Sequence, residues 1–445
     1  MNAKHDRRWP LIFLLLLSLT VMAVSGWLWY DTNVDRSGWA EREGIRYYRD
    51  FYGEPASGWI TLEEGRYCLD DTGVPVTGWQ TLQGQRYYFG EDGLLSTGWR
   101  QLDGQTYYFG TDGIMVTGWL EWEGARYYLD GGRRVTGWLE IEGARRYFGE
   151  DGAICPGFTV VDGVVYYFQE DGTCLTGEQE LQGLYYLFRE DGTLFTGWHE
   201  TDQGCRFYYD DGVMAYGWVE VDGKHYCFDS DGYAMTGWYQ EGEYRYFFLE
   251  DGAAAVGPAT IDGQLHYFTP KGIEVILVNR DHPVPDDYQL DLVTVTEWHQ
   301  VDKRCYEALT QMLEDCTEAG IEYIFNSGYR TLKEQTAILE ARTLEHMEEF
   351  DLDYEEAREK ALQTVAIPGT SEHHLGLAVD LLGEQAIAWL TEHCWEYGFI
   401  VRYTQEKEPI TGIIDEPWHF RYVGRLVSLD MKDSGLCLEE YLGAA

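Results

Sequence analysis

The stretch SEHHLGLAVD, Ser371–Asp380, sets two adjacent histidines and one aspartate among small and apolar residues. Further on, DEPWHFRYVG supplies Glu416, His419 and Arg421, the first two with the spacing Glu-x-x-His. If GLAVDLL is a strand, alternation puts Ala378, Asp380 and Leu382 on one face. A carboxylate there is costly unless something pairs with it. His373 or His374, in the loop just before, can reach back over the strand end. Pro417 disfavours a helix around His419, and in a strand His419 shares a face with Arg421. Two imidazoles and one carboxylate suit catalytic zinc, which takes three protein ligands and keeps a fourth position open. Glu416, placed at the turn ahead of His419, is positioned to take a proton from water. The residues alone leave two readings open, a metal site or histidines that only pack.

A scaffold must bring these groups together. From Lys271 onward the pattern is that of a mixed α+β domain, residues 271–445. Val301 to Cys316 has apolar residues at helical spacing (Val301, Cys305, Leu309, Met312, Leu313, Cys316). IEYIFNSGYR reads as a strand ending at a Ser-Gly turn, and TLKEQTAILEARTLEHMEEF and DYEEAREKALQTVA read as helices. Pro368-Gly369 breaks the second of these. GLAVDLL and WHFRYVG read as strands. Cys305 and Cys316 lie on one helix about 16 Å apart. A disulfide needs about 4.4–6.8 Å between Cα atoms, so both are expected as buried thiols.

The middle of the chain repeats itself. Gly38, Gly58, Gly78, Gly98, Gly118, Gly137, Gly157, Gly177, Gly197, Gly217, Gly237 and Gly257 recur at steps of twenty residues, with one step of nineteen. Such a period predicts stacked units. Each unit reads as a short strand, a turn, an aromatic strand and an Asp-Gly turn, as at Asp92-Gly93, Asp112-Gly113, Asp191-Gly192 and Asp231-Gly232. A single hairpin cannot bury its own Trp and Tyr, so a solenoid of stacked hairpins is expected over residues 31–270.

The N-terminus holds no charge between Pro10 and Tyr30, a run long enough to span a bilayer core of about 30 Å. Lys4, Arg7 and Arg8 precede it, so the tail is expected in the cytoplasm and the rest outside. Residues 1–30 are thus expected as tail and transmembrane helix. A cleaved signal peptide, with Ala23 and Ser25 near the cut, is the alternative and would release a secreted chain. The net charge of −44 excludes binding to nucleic acid through a general electrostatic field. Aromatic residues make up 16% of the chain, which excludes wholesale disorder.

Two resemblances follow from these motifs. The Gly-Trp…Tyr-Tyr…Asp-Gly units resemble the cell-wall-binding repeats of choline-binding proteins, glucan-binding proteins and clostridial toxins. That likeness implies binding of a wall polymer, choline or a glucan, with Trp79, Trp99, Trp119, Tyr87, Tyr107 and Tyr127 as candidate contacts. The Trp that usually precedes the Tyr pair is replaced by Arg46, Arg66, Arg86, Thr106 and Arg126. An arginine repels a quaternary ammonium, which favours a glycan.

Residues 274–425 resemble the VanY-type D-alanyl-D-alanine carboxypeptidases of the LAS zinc peptidases. The stretches LVNRDHPVPDDY, SGYR, PGTSEHHLGLAVD, YGFIVRY and EPWHFRYVG carry the likeness. It implies Zn²⁺ held by His373, Asp380 and His419, with Glu416 as general base and later acid. It implies that Arg330 steadies the substrate carbonyl, that Ser371 lies near the substrate terminus, and that His374 either supports the site from behind the metal ligand or contacts substrate. The implied reaction removes the terminal D-alanine from peptidoglycan stem peptides. An LD-carboxypeptidase or an endopeptidase of the same family is the alternative, and an adhesin with a vestigial peptidase domain is an alternative of another class.

Overall fold

The computed structural model describes residues 14–25 and 34–445. Residues 14–25 are helical and exposed. Among the described residues no helix is long and apolar enough to cross a membrane. The expected span Pro10–Tyr30 lies partly outside the described residues. The chain divides into two compact units, Met1–Phe195 and Thr196–Ala445.

The first unit is a run of antiparallel hairpins, from Gly38–Arg42 with Ile45–Arg49 to Gly177–Leu181 with Leu184–Phe188. Asp-Gly pairs such as Asp92-Gly93 follow the aromatic strand, where the repeat pattern puts them. The tight turn within most hairpins is an X-Gly pair such as Gln83-Gly84, with φ of 51° and 80°, while Gly58–Leu62 and Gly65–Leu69 turn at Glu63-Glu64. Two positive φ values match the right-handed twist of the strands. Asp92-Gly93 joins one hairpin to the next. There the Asp92 carboxylate accepts a bond from Leu94 N at 3.0 Å, and only Gly93 has positive φ. The linking segment then pairs backward, Leu95 N donating to Arg66 O at 2.8 Å. This stitch repeats from unit to unit, as in Met115 N to Arg86 O. Phe89, Phe109 and Phe148, the last aromatics of their hairpins, are fully buried by the stacking. In the nineteen-residue repeat, Arg133–Arg134 pairs with strands on both sides, giving a five-stranded sheet.

The second unit holds four more hairpins, Gly197–Phe268, and the α+β domain. The two parts share a core. Tyr246 and Phe248 of the hairpins pack in one cluster with Val427, Met431, Leu438, Tyr441 and Leu442. Tyr422 Oη donates to Glu243 at 2.5 Å, and Tyr244 Oη accepts from Leu426 N at 3.0 Å.

A four-stranded antiparallel sheet organises the α+β domain. Its order is Ile324–Ser327, Ala378–Leu382, Glu416–Tyr422, Phe399–Tyr403. Val379, Leu381 and Phe420 turn one way, into a cluster with Cys305, Leu309, Met312 and Leu313 of the helix Lys303–Glu318. Asp302 caps that helix. Cys305 and Cys316 are buried free thiols, as expected. The second expected helix is shorter than its pattern, Tyr354–Ala361, and ends well before Pro368. The sequence pattern does not indicate four further helices, Glu384–His393, Glu408–Thr411, Arg425–Lys432 and Leu438–Tyr441.

Candidate active site

Strand pairing builds the site. Asp380 lies opposite Ser327 on one neighbour and His419 on the other. Its position on the strand sends its carboxylate away from the Val379–Leu381 core face, as alternation demands. His373 arrives on one turn of 3-10 helix, Glu372–Leu375, which ends at Gly376 with φ of 68°. A Cβ on Gly376 would sit 2.8 Å from Asp302 N, so the turn needs glycine for both conformation and space. Glu416 is not on a turn ahead of the strand. It opens the strand Glu416–Tyr422 and lies opposite Tyr403. Pro417 fits because it needs no N–H in that register.

Donor atoms of His373, Asp380 and His419 all lie within 4.8 Å of one another, and all three residues are buried. His373 Nε2 is 3.3 Å from Asp380 Oδ2, and His419 Nδ1 is 3.2 Å from Asp380 Oδ1. The two rings stand perpendicular with centroids 4.9 Å apart. His373 Nδ1 donates to Gly328 O at 2.7 Å, which fixes the tautomer and leaves Nε2 as a lone-pair donor. That Nε2 is buried without a hydrogen-bond partner. A buried orphan nitrogen aimed at a carboxylate fits a divalent ion, since buried polar atoms are otherwise satisfied. The other ring nitrogen of His419, Nε2, faces Glu372 Oε2 at 3.4 Å.

Charges here perturb one another. Burial alone would lower the His419 pKa, but the Asp380 and Glu372 carboxylates raise it to about 9. Burial would raise Asp380, yet both histidines hold it well below the usual carboxylate range. Burial lowers His373. Burial pushes Glu416 up to about 7, with His419 opposing and Asp380 adding to the rise. Glu416 Oε2 is 3.9 Å from His419 Nδ1, near the three donor atoms and outside their group.

Arg330 stands beside the three convergent donors. Its Nη2 donates to Asp380 Oδ2, and its Nε donates to Ser327 Oγ at 2.7 Å. Ser371 is buried in the same loop as His373. Of the two roles expected for His374, support from behind the metal ligand or contact with substrate, its hydrogen bonds fit the first. Nδ1 donates to Arg330 O at 2.7 Å and Nε2 accepts from Gly369 N at 3.1 Å. Both nitrogens are spent on backbone, so His374 braces the loop that carries Arg330.

Sequence reasoning missed a buried ionic cluster behind the site. Glu372 Oε1 meets Arg402 Nε at 2.9 Å and Arg421 Nη1 at 3.0 Å. Arg402 also meets Glu439 at 2.5 Å. The signal that announced Asp380 also marked Arg402, a charged residue inside the apolar strand FIVRY.

Among the candidate wall contacts, the rings pack across neighbouring hairpins. Trp79 lies 4.9 Å from Tyr107, Trp99 5.2 Å from Tyr127, and Tyr87 5.3 Å from Trp59. Guanidinium groups sit on several of the indoles. Arg86 lies 4.3 Å over Trp79 and Arg126 4.2 Å over Trp119. Trp99, whose repeat has Thr106 in the arginine's place, has Trp122 at 6.0 Å and the guanidinium of Arg134 at 5.9 Å.

Comparison with known proteins agrees with both halves. The family model for VanY, D-alanyl-D-alanine carboxypeptidase, matches residues 298–425. Models for the choline-binding repeat match residues 96–133 and 215–258, and one for a putative cell wall binding repeat matches 77–95. A D-alanyl-D-alanine carboxypeptidase of Enterococcus faecalis is 38% identical over 175 residues, which is 38% of this chain and 65% of that protein. The putative carboxypeptidase YodJ of Bacillus subtilis is 34% identical over 188 residues, again 65% of its length. The chain therefore spans less than two thirds of these curated relatives. The bifunctional dipeptidase and carboxypeptidase VanXYC of Enterococcus gallinarum is 33% identical over 183 residues, 37% of this chain and 91% of that protein. Among solved structures, a VanY D,D-pentapeptidase from a VanB-type resistance cassette, in complex with Zn(II), is 38% identical. It covers 38% of this chain and 97% of its own, with a TM-score of 0.37. Choline binding protein F of Streptococcus pneumoniae is 24% identical over 54% of this chain and 98% of its own, with a TM-score of 0.38.

Proposed function

Through its C-terminal domain this chain belongs to the VanY D-alanyl-D-alanine carboxypeptidase family, and from that premise we propose a zinc peptidase that removes the terminal D-alanine from peptidoglycan stem peptides. The observation that carries the proposal is the convergence of His373, Asp380 and His419 within 4.8 Å, with the Glu416 carboxylate beside them. His373 Nε2, His419 Nδ1 and an Asp380 oxygen would hold the ion. Zinc bound there supplies Lewis acidity and lowers the pKa of water from about 15.7 to about 7.

The chain's own groups then do the rest. Glu416 takes a proton as water attacks the carbonyl carbon of the last peptide bond. Charge grows on the carbonyl oxygen, and the Arg330 guanidinium, held by Asp380 and Ser327, donates to it. Glu416 returns the proton to the departing amine as the C–N bond breaks. Ser371 offers a hydroxyl toward the substrate carboxylate. His374 holds the Arg330 loop in register through its two backbone bonds.

The repeats would hold the enzyme on a cell-wall polymer by many weak contacts on one scaffold. Arginines lying on Trp79 and Trp119 already occupy a face that a cationic ligand would need, which supports a glycan at those units. The uncharged run Pro10–Tyr30 supports export, with a membrane anchor over residues 1–30, the repeats over 31–270 and the peptidase over 271–445. The test is mass spectrometry of products from pentapeptide and tetrapeptide stems incubated with the full chain, with and without a chelator. Loss of one D-alanine from the pentapeptide alone, abolished by chelation, is expected. Chelator-insensitive cleavage, or cleavage of the tetrapeptide alone, would overturn the assignment.

A further inference from the structure

His419 faces Asp380 with one nitrogen and Glu372 with the other. Glu372 is 2% exposed, an unusual place for a carboxylate with no neighbour but charge. Its two oxygens have separate duties. Oε1 meets two guanidinium groups, Arg402 at 2.9 Å and Arg421 at 3.0 Å. Oε2 is left for His419 Nε2 at 3.4 Å. The arginines are themselves pinned. Arg402 is bonded by Glu439, at 2.5 and 3.0 Å, and Arg421 donates from Nε to Tyr422 O and from Nη2 to Ile276 O. Two buried arginines and two buried glutamates balance in charge, so Glu372 is held ionised and unable to rotate away from the imidazole.

An ionised carboxylate only accepts hydrogen bonds. His419 Nε2 must therefore carry a proton, and the lone pair of a neutral ring falls on Nδ1, the atom facing Asp380. We infer that Glu372 is a positioning residue for the metal site: it fixes the Nε2–H tautomer and the ring angle of His419, so that Nδ1 is the ligand. The inference rests on the zinc site proposed above. Gly328 O plays the mirrored role for His373, by accepting from Nδ1 and freeing Nε2. The two histidines thus ligate through opposite nitrogens because their outer partners sit on opposite sides. A merely structural role predicts something else, that any break in the arginine–glutamate cluster should weaken the site alike.

The test is zinc affinity of the full chain, by competition with a chelating dye, together with the visible spectrum of the Co²⁺-loaded protein. Four variants are compared: Glu372→Gln, Glu372→Asp, Glu439→Gln and His419→Ala. Glu372→Asp keeps the counter-charge for both arginines and withdraws the carboxylate from His419, so it serves where the Gln variant does not fold. Loss of an outer partner costs about 10–100-fold in metal affinity, and both Glu372 variants are expected there, with a changed Co²⁺ spectrum, while Glu439→Gln stays within about threefold. Undiminished affinity in the Glu372 variants, or an equal loss in Glu439→Gln, would overturn the role and leave the zinc site standing. Zinc held as tightly by His419→Ala as by the parent would overturn the site reading itself, and this inference with it.

Discussion

Replacing Glu416 by glutamine separates chemistry from metal binding. The amide keeps the shape of the side chain and removes its ability to accept a proton. Glu416 Oε2 lies 3.9 Å from His419 Nδ1, beyond bonding distance, and is not one of the three convergent donors. Glu416→Gln is therefore expected to hold zinc at parent stoichiometry. A single general acid or base contributes about 10²–10⁴ in rate. In the proposed mechanism one carboxylate serves both proton transfers, from the attacking water and to the leaving amine. The loss should fall at the upper end, about 10⁴-fold, which is about 5.4 kcal/mol at 1.36 kcal/mol per decade. The assay is release of D-alanine from a defined pentapeptide by the zinc-loaded full chain, with metal content measured on the same sample. Turnover within about tenfold of the parent would refute the role, since less than the smallest single-transfer contribution would then be missing. Zinc lost together with activity would refute the geometric separation of base from ligands.

Three further outcomes test the surrounding structure. In Glu439, burial favours the neutral acid but Arg402 and Asn279 win, holding its pKa below 4.5. A depressed carboxylate adds stability that is present above its unfolded pKa and lost as pH falls through the folded one. Urea unfolding should thus weaken below about pH 4.5, and Glu439→Gln should flatten that slope; an unchanged slope counts against the pairing. Leu438 is 1% exposed in the core shared by the last hairpins and the peptidase domain. Leu438→Ala is expected to cost about 2–5 kcal/mol in chemical denaturation, and a cost under about 1 kcal/mol would show that the core is not packed there. At Gly113, φ is 81° and a Cβ would lie 2.5 Å from Leu95. Gly113→Ala should lower the melting temperature followed by tryptophan fluorescence by several degrees, since strain and clash add to more than about 1 kcal/mol.

Periodic features were legible because each repeat states its own constraints. Twenty-residue spacing placed every hairpin, and the apolar rows placed the helix at Lys303–Glu318 within two residues of its expected start. The sequence puts Glu416 at a turn ahead of the strand, whereas pairing with Tyr403, a partner distant from it in the local pattern, makes it a strand residue.

The sequence by itself determined the residue types, a candidate ligand set with a carboxylate nearby, and the repeat that stacks into a solenoid. These are local properties, carried by spacing along the chain. The tertiary structure alone decided which nitrogen of each histidine is free. Gly328 O and Glu372 choose it, and they reach His373 and His419 from positions 45 and 47 residues away. It also decided that His374 is a brace, because the backbone groups that claim its ring meet only when the two loops fold together. Hydrogen-bond partners and desolvation set tautomer and charge, and both arise only once distant segments share one interior.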